Sequence, residues 1–330
     1  MSAQAAVAAR TGVVATGAML AGNAQIRMGE SVLDLHDDDD VLVRLHGSGV
    51  CASNLPVWEG REWFRYPTAL GAPGHEGWGE VESVGDGVED LSPGDRVVLL
   101  SQHAYASHDI APASMVAPIP SNVDERPLPG EPLACAMNIL DRSDLHRDHW
   151  VAVVGIGFIG ALLVQAAARR GARVIALTRR AWARDLALDH GAEFAIDSQD
   201  LHEAAGMVRE ITGGGCRRVI EAAGYQASLD LATSVCVEGG RLIIAGYHQD
   251  GLRSVDMQRW NWCGLDVINA HERDPAVQAR GLRKAMHAVS DGLLDPFPLI
   301  THVLPMRELG RAFQLMRERP DGFLKAVVTP

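Results

Sequence analysis

Up to about residue 120, apolar positions come in short runs bounded by Gly, Pro and Asp: Val41 to Leu45, Gly79 to Val84, Arg96 to Leu100 and Met115 to Ala117. Short runs rich in β-branched residues and cut by turn formers predict the strands of a compact antiparallel domain. After Pro127, Pro129 and Pro132 the texture changes to apolar strands alternating with helical stretches, beginning with Trp150 to Val154, Ile159 to Arg170 and Arg173 to Leu177. Further strands are predicted at Glu193 to Ile196, Arg218 to Glu221, Gly240 to Ala245 and Leu265 to Ala270. About six strands with helical connections make an α/β, doubly wound parallel sheet. The tail reads as a helix from Val277 to Asp291, a strand from Leu299 to Val303, a helix from Met306 to Arg317 and a last strand from Lys325 to Val328, returning to the first domain. The expected division is residues 1–125 with 277–330 in one domain and residues 126–276 in the other.

The 330 residues, 47% of them hydrophobic, suffice for two cores. A net charge of -12 without a basic stripe argues against nucleic acid and for a small-molecule substrate. The Ala-rich stretch from Ala5 to Gly22 is interrupted by Arg10, Gly12, Thr16 and Gly17 and led by no basic cluster, so it is not read as a signal peptide. Nowhere do roughly 18 apolar residues run unbroken, and a soluble, cytoplasmic protein is expected. Five scattered cysteines, Cys51, Cys135, Cys216, Cys236 and Cys263, do not form a secreted disulfide framework. The Asp37 to Asp40 run reads as a solvated turn.

Gly155-Ile156-Gly157-Phe158-Ile159-Gly160 follows the apolar strand Val151 to Val154 and opens a helix, which is the setting of a dinucleotide fingerprint. Gly155 permits the tight turn, Gly157 the approach of the pyrophosphate to the backbone, and Gly160 the close packing of helix on strand. An NAD site would place Asp or Glu at the end of the next strand, about 20 residues on. Here stand Thr178, Arg179 and Arg180, whose guanidinium groups suit a 2′-phosphate, so NADP is expected, with NAD as the alternative.

The first domain carries Gly49-Val50-Cys51-Ala52-Ser53-Asn54 and Gly74-His75-Glu76-Gly77-Trp78-Gly79, and Glu131-Pro132-Leu133 stands just ahead of the second. In this order, with Gly155 to Gly160 behind them, the segments resemble those of the medium-chain dehydrogenase/reductase superfamily over nearly the whole chain. The likeness is greatest to its zinc-containing polyol branch of sorbitol, threonine and glucose dehydrogenases. That resemblance implies a GroES-like catalytic domain beside a Rossmann domain. It further implies one catalytic zinc held by Cys51, His75 and Glu131, with Glu76 a ligand or a neighbour exchanging with water. Cys135, four residues after Glu131, is the alternative third ligand, as in yeast-type alcohol dehydrogenases. A catalytic zinc takes about three S, N and O donors and keeps one position open, which such a set satisfies. The structural-zinc lobe of many relatives is expected to be absent, because Ser101 to Ala111 holds no cysteine, and His103 and His108 are read as solvent-facing loop residues.

The same resemblance gives Ser53 the alcohol proton. Asn54 stands where Asp usually orients the zinc-bound histidine and can accept a bond from His75, while Pro56 replaces a relay histidine and carries no proton. Trp58, Trp63, Phe64 and Tyr66 suggest a bulky or ring-shaped substrate. The leading expectation is a zinc-dependent dehydrogenase of secondary alcohols or polyols. Competing readings are a zinc-free quinone or enone reductase of the same fold and a silent dinucleotide-binding protein. Pairing through the Leu265 to Ala270 edge predicts a homodimer or homotetramer.

Overall fold

The structure, a computed structural model, describes residues 12–249 and 251–330, so Ala5 to Thr11 of the Ala-rich stretch lie outside the described residues. Contacts divide the chain into two units. The first runs to Ile119 and adds Val303–Gln314 and Val327–Pro330, and the second comprises Pro120–His302 and Leu315–Ala326.

The first unit opens with an antiparallel ribbon of β1 (Val13–Gly22) and β2 (Gln25–Leu33), which the sequence pattern did not predict. Ala, Thr and Gly at positions 15–18 interrupt the apolar pattern of β1, yet Asn23 and Ala24 at its end, with φ of 48° and 58°, make the left-handed turn that joins twisted strands. Then follow β3 (Asp40–Gly49), α1 (Leu55–Glu59), β4 (Gly77–Val84), β5 (Arg96–Leu99), β6 (His108–Pro112) and β7 (Val116–Pro118).

The second unit contains α2 (Gly130–Ser143), β8 (Trp150–Val154), α3 (Phe158–Arg169), β9 (Arg173–Leu177), α4 (Ala181–Asp189) and β10 (Phe194–Ile196). It continues with α5 (Leu201–Thr212), β11 (Cys216–Glu221), α6 (Gln226–Val235), β12 (Cys236–Ile244), α7 (Met257–Trp262), β13 (Asp266–Asn269) and α8 (Pro275–Ser290). The six strands are parallel in the order β10-β9-β8-β11-β12-β13, as the alternating pattern predicts. Helices cover both faces of such a sheet, so its strands are apolar on both: Val151, Val153, Val174, Leu177, Val219 and Leu242 are fully buried. Each such side chain contributes roughly 1.5–3 kcal/mol by leaving water. Chain order reverses between β8 and β11, and in open parallel sheets ligands bind at the carboxyl ends of the strands at such a point.

The tail differs in detail from its pattern. Pro296 precedes and Pro298 occupies the middle of a 3₁₀ turn, Phe297–Leu299, where a strand was expected, and β14 (His302–Pro305) follows it. The expected final helix is split into a 3₁₀ turn, Met306–Glu308, and α9 (Leu309–Glu318), and the chain ends with β15 (Ala326–Thr329). The sheet order is β14-β15-β3-β4-β5-β7, with β6 paired to β3.

β6 corrects the reading of Ser101 to Ala111 as loop throughout. His108 lies in β6 opposite Arg44, with its ring partly buried and Nε2 3.0 Å from Glu82 Oε2. Next to it Asp109 is buried, and that burial pushes its carboxyl pKa above the usual value, against the bond from the Ile110 amide at 2.8 Å. A carboxyl whose folded pKa is raised favours the fold while protonated, at pH below the unfolded value, and loses that contribution as pH rises through the folded value. Asp109→Asn, which carries no charge to desolvate, is expected to raise Tm by a few degrees at pH 7 and by less at pH 4. Thermal scans at both pH values with an equal or larger gain at pH 4 would contradict this.

Candidate metal centre and dinucleotide loop

Cys51 and the His75-Glu76 pair are distant in sequence but adjacent in space because β3 and β4 are antiparallel neighbours, with Ser48 opposite Gly77. The chain leaving β3 at Gly49 therefore lies beside the chain entering β4, and the Gly49 amide donates to Glu76 O at 3.0 Å. Cys51 caps a 3₁₀ turn, Ala52–Asn54. The result is a cluster in which Cys51 Sγ, one ring nitrogen of His75 and one carboxylate oxygen of Glu76 all lie within 4.8 Å of one another.

Three features suit this cluster to a borderline-soft cation such as zinc. His75 Nδ1 stands 2.9 Å from Pro73 O, and since a carbonyl only accepts, the proton sits on Nδ1 and Nε2 is the acceptor nitrogen of the ring, the one able to ligate a metal. Ser53 Oγ donates to Cys51 Sγ at 3.2 Å, which fixes the sulfur against the turn that follows it. Glu76 is buried in a cradle only glycine provides, because a Cβ on Gly49 would lie 1.8 Å from Glu76 Oε2. Gly49 heads the cysteine motif in the sequence but carried no role there; its need shows only in the register of two strands. Gly49→Ala is expected to displace the carboxylate and weaken metal retention by roughly 10–100-fold, the cost typical of losing a supporting group. Chelator competition reads this out, and unchanged retention would refute it.

Asn54 differs from its expected role. Its Oδ1 accepts from Tyr105 Oη at 2.8 Å, while Pro73 O is the acceptor at His75 Nδ1. Tyr105 is fully buried, and burial first, then the nearby charges of Glu76 and Cys51, hold its hydroxyl pKa well above the usual value. The aromatic run is also divided. Trp58 is buried and stacks on Phe313 at 5.5 Å, Tyr66 donates to Val57 O at 2.7 Å, and Trp63 is 70% exposed. Trp58 and Tyr66 thus hold the unit together and report little about substrate shape. The carboxylates of Asp37, Asp39 and Asp40 also cluster, but Asp40 Oδ2 accepts from the His36 and Asp37 amides, each at 3.0 Å, as in an ordinary turn.

Glu131 and Cys135 belong to the second unit, one turn apart on α2, where Cys135 Sγ donates to Glu131 Oε1 at 3.1 Å. In the same unit Gly155, with φ of 101°, ends β8. A Cβ there would meet the Ala223 amide at 2.8 Å, one on Gly160 would strike Gly155 O at 2.0 Å, and the space beside Gly157 is open. Gly157 precedes Phe158 and Ile159 at the start of α3 without any capping side chain, a helix N-terminus suited to a phosphate.

Two further elements line the loop, and the sequence had not marked either. Lys325 is buried with its Nζ 5.1 Å from the Phe158 ring centroid, which places an ammonium beside the helix start. Glu221, fully buried at the end of β11, accepts from the amides of Ala223 and Gly224 and from Ser228 Oγ, fixing the turn on which Gly155 packs. Its Oε2 faces His248 Nε2 at 2.8 Å. Arg253 Nε donates to His248 Nδ1, so in the neutral ring the proton is on Nε2 and points at Glu221. An apolar-pattern reading passes over both groups, because each is a charged residue in a segment otherwise read as strand or tail. At the end of β9, Thr178 is buried, Arg179 exposed and Arg180 partly buried.

Residues 37–120 match the alcohol dehydrogenase GroES-like domain and residues 159–278 the zinc-binding dehydrogenase domain. Among curated relatives, the NADP-dependent isopropanol dehydrogenase of Thermoanaerobacter brockii is 29% identical over 88% of this chain and 92% of its own. The sorbitol dehydrogenase of Halalkalibacterium halodurans is 24% identical over 88% and 91%. The crystal structure of galactitol-1-phosphate dehydrogenase from Escherichia coli superposes with a TM-score of 0.81 at 21% identity, over 96% of this chain and 100% of that one, and shares its fold. The chain belongs to the zinc-binding alcohol and polyol dehydrogenase family of medium-chain dehydrogenases and is an oxidoreductase of that family.

Proposed function

We propose that the protein interconverts a secondary alcohol or polyol and its carbonyl compound, with NADP(H) as the hydride partner. The observation that carries this reading is the meeting of Cys51, His75 and Glu76 within 4.8 Å, with the Pro73 carbonyl fixing the His75 proton on Nδ1. Cys51, His75 and Glu131 are the proposed zinc ligands, with Glu76 a ligand or a close neighbour and Cys135 the alternative to Glu131. Zinc held there supplies Lewis-acid polarisation of the alcohol oxygen, lowering its proton affinity. Ser53 takes the hydroxyl proton and passes it to solvent, since Pro56 has no group that could carry it. NADP held in the glycine loop would supply the acceptor for the hydride of the alcohol carbon, so that the products would be a carbonyl compound and NADPH. Gly155, Gly157, Phe158, Ile159 and Gly160 hold the pyrophosphate against the start of α3. The choice of NADP rests on Arg179 and on the lack of a carboxylate at 178–180, and the NADP-dependent isopropanol dehydrogenase is a relative of matching chemistry.

Pairing of two chains is proposed through β13, the edge of the parallel sheet, beside which Met257 is 59% and Trp262 86% exposed. Among the described residues no helix is long and apolar enough to cross a membrane. Metal analysis tests the core of the reading: about one zinc per chain, with NADPH-dependent reduction of simple ketones or keto-sugars, is expected. A metal-free chain that reduces quinones or enones would replace it with the zinc-free reductase. A panel of sugars, cyclic polyols and secondary alcohols then narrows the substrate.

A further inference from the structure

Arg179 and Arg180 are adjacent and chemically identical, yet the structure gives them different surroundings. Arg179 is exposed at the end of β9. Arg180 caps α4 and turns its guanidinium inward, where Nη2 donates to Ile156 O and Nη1 to Phe323 O, each at 2.8 Å. Ile156 is the middle of Gly155-Ile156-Gly157, and Phe323 closes a turn in which its amide donates to Pro320 O at 3.0 Å. One rigid fork thus ties the glycine loop to the segment leading to Lys325. Burial, then repulsion from Arg319, lowers the pKa of Arg180, as befits a guanidinium drawn out of water.

The bond to Ile156 O has a directional consequence. A trans peptide is planar, with its C=O and the following N–H on opposite edges. Holding the Ile156 carbonyl toward Arg180 therefore aims the Gly157 N–H the other way, and Gly157 is the residue whose backbone the fingerprint offers to the pyrophosphate. The pyrophosphate is common to NAD and NADP, whereas the 2′-phosphate is not.

We propose that Arg180 is a positioning residue for the dinucleotide, setting the Ile156–Gly157 peptide and the turn at 320–323, and that recognition of a 2′-phosphate falls to Arg179 alone. The second half rests on the NADP reading, and the first does not. Lysine cannot span two carbonyls with a planar fork. Fluorescence titration of the full chain with NADPH and with NADH is therefore expected to show Arg180→Lys weakening both by a similar factor, about tenfold, with their ratio kept within about twofold. Arg179→Ala should weaken NADPH alone. A loss confined to NADPH in Arg180→Lys would make Arg180 a 2′-phosphate contact and overturn the proposal, and so would unchanged affinity for both. If Arg180→Lys does not fold by thermal scan, Arg180→Gln is judged by the same two titrations. A wild-type chain that binds NADH as tightly as NADPH overturns the NADP reading and leaves the prediction of equal losses standing.

Discussion

Cys51→Ser is expected to emerge from dialysis against a chelator without zinc, and to turn over at least a hundredfold more slowly than the parent protein. A thiolate forms near neutral pH when a cation is close, whereas a serine hydroxyl does not ionise there, so the substitution removes a soft, charged donor from the set. It also replaces the sulfur that accepts from the Ser53 hydroxyl at 3.2 Å by an oxygen on a shorter bond, which shifts that contact. The loss should therefore exceed the roughly 10–100-fold that follows removal of a supporting group. Metal content and kcat are measured on the same sample, and a variant that keeps either at the parent level would exclude Cys51 as a ligand. The same assay on Glu131→Ala and Cys135→Ser separates the two candidates for the third position, since only the ligand's loss should release zinc.

Arg179→Glu should invert the dinucleotide preference. The exposed guanidinium is replaced by a carboxylate that repels a 2′-phosphate and can accept from a ribose 2′-hydroxyl. A charge-assisted bond is worth about 1.5–3 kcal/mol, and at about 1.4 kcal/mol per tenfold this predicts a 10–100-fold rise in KM for NADP. KM for NAD should fall or stay level, and kcat should change little with either. Parallel KM measurements decide the matter: equal rises for both dinucleotides would move the determinant elsewhere.

The alternation of apolar strands and helices, the glycine spacing at Gly155 to Gly160, and the donor types at Cys51, His75 and Glu76 are local properties. A reading along the chain found them because strand period, turn chemistry and ligand chemistry reside in a few neighbouring residues. Where local amplitude was weak the reading failed. The middle of β1, residues 15–18, is Ala, Thr, Gly and Ala, and β6 begins with His108 and Asp109 and ends in Pro112, so neither carries an unbroken apolar signal of a strand that only its partner stabilises. Trp58 and Tyr66 show the converse, since aromatic residues near a candidate ligand looked like a pocket wall until their stacking and hydrogen bonding were seen.

The sequence by itself determined which chemistry the chain could carry: a parallel sheet with a phosphate-binding turn, and S, N and O donors for one cation. Only the tertiary structure decided how those groups are held. The register of β3 against β4 brings Cys51 to His75 and makes Gly49 obligatory beside Glu76. A main-chain carbonyl sets the tautomer of His75, and Asn54 turns to Tyr105. Of two neighbouring arginines, one is committed to the carbonyls of Ile156 and Phe323. The physical reason is common to all of these: a hydrogen-bond partner or a steric limit is set by residues far away in the chain, so it exists only once the strands and turns have met.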